Sequence, residues 1–169
     1  MGGWNMNFKK ILMVIFMILG LGLAAGCGGS AASPTPAKST AQQQASLSGK
    51  KVLIAYFSWS GNTKAAAEKI QGLTGGDIYR IEAADPYPGE YDATTDRAKQ
   101  EQKDNARPAI AGKADLSKYD VIMVGYPIWW YQEPMIIDTF LESGDFSGKT
   151  IVPFCTSGGS GLSGTPAAI

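Results

Sequence analysis

The alternation of apolar and polar stretches divides the chain into a leader, a featureless middle and a body of repeating strand and helix patterns. Val52–Phe57 is a short, unbroken apolar run, which predicts a strand buried on both faces. It breaks into hydroxyl and amide residues at Ser58-Trp-Ser-Gly-Asn-Thr63, and the strong helix formers Ala65-Ala-Ala-Glu-Lys-Ile70 follow at once. Ala66, Ile70 and Leu73 share a face at helical spacing, and Leu73-Thr-Gly-Gly76 reads as the helix stop. Asp77–Glu82 is more polar, as expected of a strand near a sheet edge. Ala83–Asp92 holds Pro86, Pro88 and Gly89 and is predicted as loop. Thr94–Lys103 predicts a solvent-facing helix that ends before Arg107-Pro108. Leu116–Asp120 leads into Val121–Gly125, a second fully buried strand. Tyr126–Tyr131 is then predicted as loop, because Pro127 cannot donate to a ladder. Glu133-Pro134 opens a helix through Phe140 and Leu141, and Thr150–Cys155 is a third buried strand. Such alternation predicts an α/β fold, an open, doubly wound parallel sheet sandwiched by helices.

The leader changes where this body is expected to work. Lys9-Lys10 precede the thirteen apolar residues Ile11–Leu23, short for a membrane span, which needs about 20, and suited to a signal-peptide core. Leu23-Ala-Ala-Gly-Cys27 resembles the bacterial lipobox, in which the cysteine is acylated and becomes the mature N-terminus. Ala24 stands where that motif usually has Leu, with Leu23 one place early. The expectation is a signal peptide over 1–26, a lipidated Cys27, and an extracytoplasmic, membrane-anchored lipoprotein. Residues 27–48 are then the anchor cysteine and a linker rich in Gly, Ser, Ala, Pro, Thr and Gln, with Leu47 its one large apolar residue. As a coil, 28–49 would span on the order of 25 Å. The body is assigned to 49–169.

Composition removes several function classes. The 15 basic and 15 acidic residues balance, and from Gly49 onward 12 basic face 15 acidic residues, so no basic surface points to nucleic acid. The chain has no histidine, which excludes Ser-His-Asp and Cys-His catalysis and His-ligated metal within it. No catalytic or metal-ligating residue is assigned. Cys155 ends a strand and reads as a small core residue rather than a redox thiol.

In an open parallel sheet the ligand sits beyond the carboxyl ends of the strands, where strand order reverses. Three loops fall there, Ser58–Thr63, Tyr126–Gln132 and Thr156–Gly161. The first offers hydroxyls and backbone N–H groups at a helix N-terminus, with Gly61 allowing close approach; it is either a phosphate cradle or an ordinary capped turn. It is not a Walker A loop. The second offers flat aromatics that either pack inward or face a ring. The third offers small residues whose backbone can meet a ring's polar edge. Tyr87 and Tyr91 could cap such a ring or simply pack on the surface, and Lys64 could approach a phosphate or stay solvated.

Here the sequence resembles the flavodoxin family. Ser58-Trp-Ser-Gly-Asn-Thr63 resembles its phosphate loop, and Gly125-Tyr-Pro-Ile-Trp-Trp130 and Cys155-Thr-Ser-Gly-Gly-Ser160 look like its two ring-holding loops. The resemblance covers about 51–161 in order and spacing, and it implies FMN. Carried over, Ser58, Trp59, Ser60, Gly61, Asn62 and Thr63 form the phosphate arm; Pro127, Ile128, Trp129 and Trp130 line the ring; Thr156, Ser157, Gly158 and Gly159 meet its polar edge. The implied function is electron transfer or quinone-type reduction at a membrane surface, with an NAD(P)H-quinone reductase-like oxidoreductase as the enzymatic form. No glycine lies between Tyr126 and Tyr131, where the family uses one, which favours two-electron chemistry. The alternatives are a cofactor-free tethered module without activity and an extracytoplasmic lipoprotein binding another phosphorylated ligand. The family fold also implies a last strand and helix, for which Leu162–Ile169 is too short. The expectation is an incomplete C-terminus that bares Val52, Ile54, Val121 or Met123. Losing about 400 Å² of apolar burial costs ~10 kcal/mol, comparable with a domain's whole stability, so a further polypeptide would have to supply the missing elements.

Overall fold

The computed structural model describes residues 47–165. The expected signal segment, Cys27 and all but the end of the linker lie outside the described residues. Among the described residues four parallel strands form one sheet in the order β2-β1-β3-β4, where β1 is Val52–Tyr56, β2 Asp77–Arg80, β3 Val121–Pro127 and β4 Thr150–Thr156. Three helices connect them: α1 Asn62–Thr74, α2 Tyr91–Lys103 and α3 Met135–Glu142. β1 pairs with β2 on one side (Ile54 opposite Ile78) and β3 on the other (Ile54 opposite Met123), so strand order reverses between β1 and β3. This is the α/β architecture the alternation implied.

The period-two geometry of a strand sends alternate side chains to opposite faces, and here both faces are apolar. Leu53, Ala55, Ile122, Val124 and Tyr126 pack with Ile136, Ile137 and Phe140 of α3. Val52, Ile54, Tyr56 and Val121 pack with Ala67 of α1, and Leu47 rests against the same cluster. α1 ends where expected, on Gly75 at φ +68°, whose N–H donates to the Gln71 carbonyl at 2.8 Å.

The structure corrects several expectations. Leu73 is exposed, and α1 buries Thr63 and Ala67 instead, because the helix starts at Asn62 and its rotation is set by that start. α2 begins at Tyr91 and is not wholly solvent-facing, since Thr94 and Ala98 are buried. Pro127 does not end β3: it pairs in register with Thr156. Gly125 faces β1 through its carbonyl and Ile128 faces β4 through its N–H, so by alternation Pro127 turns its donorless nitrogen toward β1, whose ladder has already ended. β4 is half-exposed along its length rather than fully buried, and it holds Pro153, because only β3 pairs with it among the described residues. Val52, Ile54 and Val121 are not bare. They are 5%, 0% and 5% exposed; the half-exposed apolar residues of that face are Met123 and, on β4, Val152 and Phe154.

Candidate functional site

The three predicted loops converge at the carboxyl edge of the sheet, and each is shaped by local bonds. Phe57 leaves β1 by donating to the Gly125 carbonyl at 2.9 Å. Ser58, buried, accepts the Gly61 N–H on its Oγ at 3.2 Å, which folds the turn back on itself. Gly61 then caps α1 at φ +90°, a conformation that suits glycine. The first helical bond runs from Ala65 N–H to the Gly61 carbonyl, so the N–H groups of Asn62, Thr63 and Lys64 have no partner within the helix. A Cβ on Gly61 would meet no atom within 4 Å, so the turn opens onto free space. Ser60 and Asn62 are exposed there. Lys64 is not turned to the cradle but pairs with Glu68 along the helix.

Thr63 is buried, and its hydroxyl lies 2.8 Å from that of Thr156, which ties the first loop to the third. Beyond Thr156, the Ser157 and Ser160 hydroxyls bond at 2.9 Å and Gly159 donates to Ser157 Oγ at 3.2 Å. Gly158 and Gly159 have open space where a side chain would stand.

The second loop is the most constrained. Trp129 and Gln132 exchange backbone bonds of 2.9 and 3.0 Å around Trp130 (φ +48°) and Tyr131 (φ +66°). Two central residues at positive φ make a turn normally built from Asn and Gly, and each non-glycine residue there costs roughly 1–2 kcal/mol. α2 holds this turn down. Gln102 Nε2 donates to the Trp129 carbonyl at 2.8 Å, Trp130 Nε1 donates to the Thr95 carbonyl at 3.0 Å, and Lys99 sits 5.1 Å from the Trp130 ring centroid. Trp129 packs edge-on against Phe57 at 5.4 Å and Tyr87 at 5.3 Å. Tyr87 is itself clamped, donating to Glu101 at 2.7 Å beneath the Arg97 guanidinium, and burial followed by that bond pushes its phenol far above the ordinary range.

Between these loops lies a cavity of about 340 Å³, within the range of small-molecule sites. Of the predicted site residues, Trp59, Ile128, Trp129, Trp130, Gly158 and Gly159 line it. Ser58, Ser60, Gly61, Asn62, Thr63, Pro127, Thr156 and Ser157 do not, and the first five of these form the adjoining helix N-terminus. The remaining wall was missed. It is the face of α2 carrying Tyr91, Thr94, Thr95 and Ala98, joined by Tyr131 and Ser160. The signal was present, since 91, 94, 95 and 98 fall at i, i+3, i+4 and i+7. Trp59 is set in this wall by its indole N–H, which donates to the Pro88 carbonyl at 2.8 Å, and Thr94 Oγ1 donates to the same oxygen at 2.7 Å. Cys155 is half-buried behind the third loop, and burial raises its thiol above the usual value.

Comparison with known proteins agrees with this geometry. The family model described as Flavodoxin matches residues 51–168. Solved structures share the fold, among them these three. A candidate flavoprotein of Bacteroides eggerthii DSM 20697 is 44% identical, with a TM-score of 0.67 over 70% of this chain and 78% of that one. A second, from Bacteroides uniformis ATCC 8492, is 42% identical, with a TM-score of 0.66 over 71% of this chain and 80% of its own. A flavoprotein of Lactobacillus acidophilus NCFM, solved in complex with FMN, is 29% identical, with a TM-score of 0.64 over 70% of this chain and 82% of its own. No curated protein matches.

Proposed function

Since the chain belongs to the flavodoxin family, we propose that it binds FMN in this cavity and serves as a redox protein at a membrane surface. The observation that carries the reading is the junction of two unlike half-sites at one sheet edge. An open helix N-terminus with free N–H groups adjoins a cavity walled by indoles on one side and by glycine backbone on the other. The FMN-bound relative from Lactobacillus supports the assignment of the ligand.

The residues present fit the group. The N–H groups of Asn62, Thr63 and Lys64 and the side chains of Ser60 and Asn62 would hold the phosphate, with the helix dipole favouring its charge. Ser58 accepts from Gly61 and keeps its own proton to donate. Trp59, Ile128, Trp129 and Trp130 would flank the ring and exclude water, and the open backbone at Gly158 and Gly159 would meet its polar edge. FMN, when bound, supplies one- or two-electron transfer. The chain's part is to hold the ring in a stiff aromatic loop, which suits two-electron, quinone-type reduction as well as electron carriage. Acylation of Cys27 and the linker behind it would keep the domain within reach of a redox partner at the membrane.

The test is direct. Full-length protein titrated with FMN should quench flavin fluorescence and retain a yellow cofactor through desalting; loss of all flavin would overturn the reading. With FMN retained, oxidation of NADH or NADPH in the presence of a quinone identifies a reductase, and its absence a carrier. Cys27→Ser should move the protein out of the membrane fraction of the producing bacterium.

A further inference from the structure

Tyr126 and Glu133 stand at the two ends of the aromatic loop, and the acid at its base has no partner among the described residues for one of its oxygens. Glu133 directly follows Gln132, which closes the strained turn, and directly precedes the cap of α3. It is 5% exposed, and its Oε2 is buried without a hydrogen bond among the described residues. Among the described residues no lysine or arginine comes within ion-pair distance of it.

The groups that face it do not compensate a charge. Asp138 projects from α3, and its negative charge disfavours a second one nearby. Arg107 reaches Asp138 at 3.9 Å and Glu142 at 2.7 Å but makes no pair with Glu133. From β3 comes the Tyr126 phenol, 1% exposed, and behind it Cys155 of β4 and the hydroxyl of Thr165. Neither the phenol nor the thiol is a cation. Burial first of all raises the Glu133 carboxyl above its ordinary value; its own backbone N–H opposes this and Asp138 adds to it. The N-terminus of α3 favours the charged form, but that helix is only eight residues long, and a helix end weighs little against burial of an unpaired charge. A protonated Glu133 removes the conflict, since the neutral acid leaves no uncompensated charge at the loop's base.

We propose that Glu133 is a proton-linked positioning residue for the ring-holding loop: the loop closes over the cavity with Glu133 protonated, and release of that proton to solvent loosens it. The step is an acid–base exchange alone, carboxylate plus a solvent proton giving the carboxylic acid. Its sign follows from linkage. The carboxyl value in the closed loop lies above the value of 4.5 it has when solvated, so closure is fully favoured below the solvated value. It is lost as pH rises through the closed-loop value. Between the two values closure takes up one proton, so the closed-to-open ratio falls about tenfold per pH unit, and the affinity of a ligand that needs the closed loop follows it once the open form is the major one.

The consequence for FMN rests on the function proposed above, so the experiment has two arms. In the first, full-length protein and Glu133→Gln are titrated with FMN by fluorescence quenching from about pH 5 to about pH 9, a span that covers the values known for buried glutamates. The phosphate's own titration is common to both and cancels in their ratio. The wild-type dissociation constant should climb relative to that of the variant, by up to about tenfold per pH unit as the open form takes over; a ratio that stays constant overturns the proposal. In the second arm, the ligand-free wild type is followed by carbon NMR of the Glu133 carboxyl and by amide exchange at Trp129 and Gln132. The carboxyl should titrate above the ordinary range, and the turn should lose protection, beyond the intrinsic pH dependence of exchange, at the same midpoint. A carboxyl that titrates normally, or protection without that midpoint, overturns it. If neither protein binds FMN, the FMN reading fails while the second arm still decides Glu133, as it does if Glu133→Gln does not fold.

Discussion

Gln102→Ala tests whether α2 holds the strained turn in place. The side chain is half-buried, and its amide donates to the Trp129 carbonyl at 2.8 Å, on the residue that opens the turn. Such a bond contributes about 1 kcal/mol net. Against it stand Trp130 and Tyr131 at φ +48° and +66°, each costing roughly 1–2 kcal/mol. The anchor is therefore comparable with the strain at either one of these residues, and removing it should shift the closing equilibrium of the turn about fivefold. Amide exchange of Trp129 and Gln132, whose N–H groups close the turn, reads that equilibrium. Their protection should fall by about this factor, and the FMN dissociation constant should rise by up to as much, since a ligand that needs the closed loop pays for the open fraction. Tyr131 is 71% exposed, so Tyr131→Gly removes strain with little loss of packing. In the Gln102→Ala background it should restore most of the protection. A Tyr131→Gly substitution that restores no protection in that background would refute the balance of anchor against strain.

Three further outcomes follow from the same geometry. Gly61→Ala meets no steric contact but must hold φ +90°, so it should lower stability by roughly 1–2 kcal/mol in urea unfolding and weaken FMN binding as the cradle distorts. Thr63→Val keeps the shape of a buried residue and deletes the hydroxyl pair with Thr156; a loss of about 1 kcal/mol is expected, with FMN retention reduced because the first and third loops are no longer tied. Ile136→Ala empties a fully buried position between α3 and the sheet and should cost about 2–5 kcal/mol in thermal or urea unfolding.

The loops were legible in the chain because their chemistry is local. A run such as Ser58–Thr63 between an apolar strand and an Ala-rich helix fixes both a turn and its donors, and Pro134 and Gly75 mark helix ends by their own backbone limits. The helical wall of the cavity was harder to read. Tyr91, Thr94, Thr95 and Ala98 form a stripe, but a mixed aromatic and hydroxyl stripe has no burial signature until something packs on it. Leu73 misled for the related reason that a helix's rotation depends on where it starts, and that start is set by the Ser58–Gly61 bond.

What the sequence determined by itself was the order of elements, the two-faced burial of β1 and β3, and three ligand-facing loops, because periodicity, turn chemistry and chain order are properties of neighbouring residues. Tertiary structure alone decided which groups oppose one another: Thr63 with Thr156 across 93 residues, Gln102 with the Trp129 carbonyl, and Glu133 with no cation among the described residues to balance its charge. Those pairings depend on the sheet order that places β1 between β2 and β3, and on the dense packing that buries Glu133.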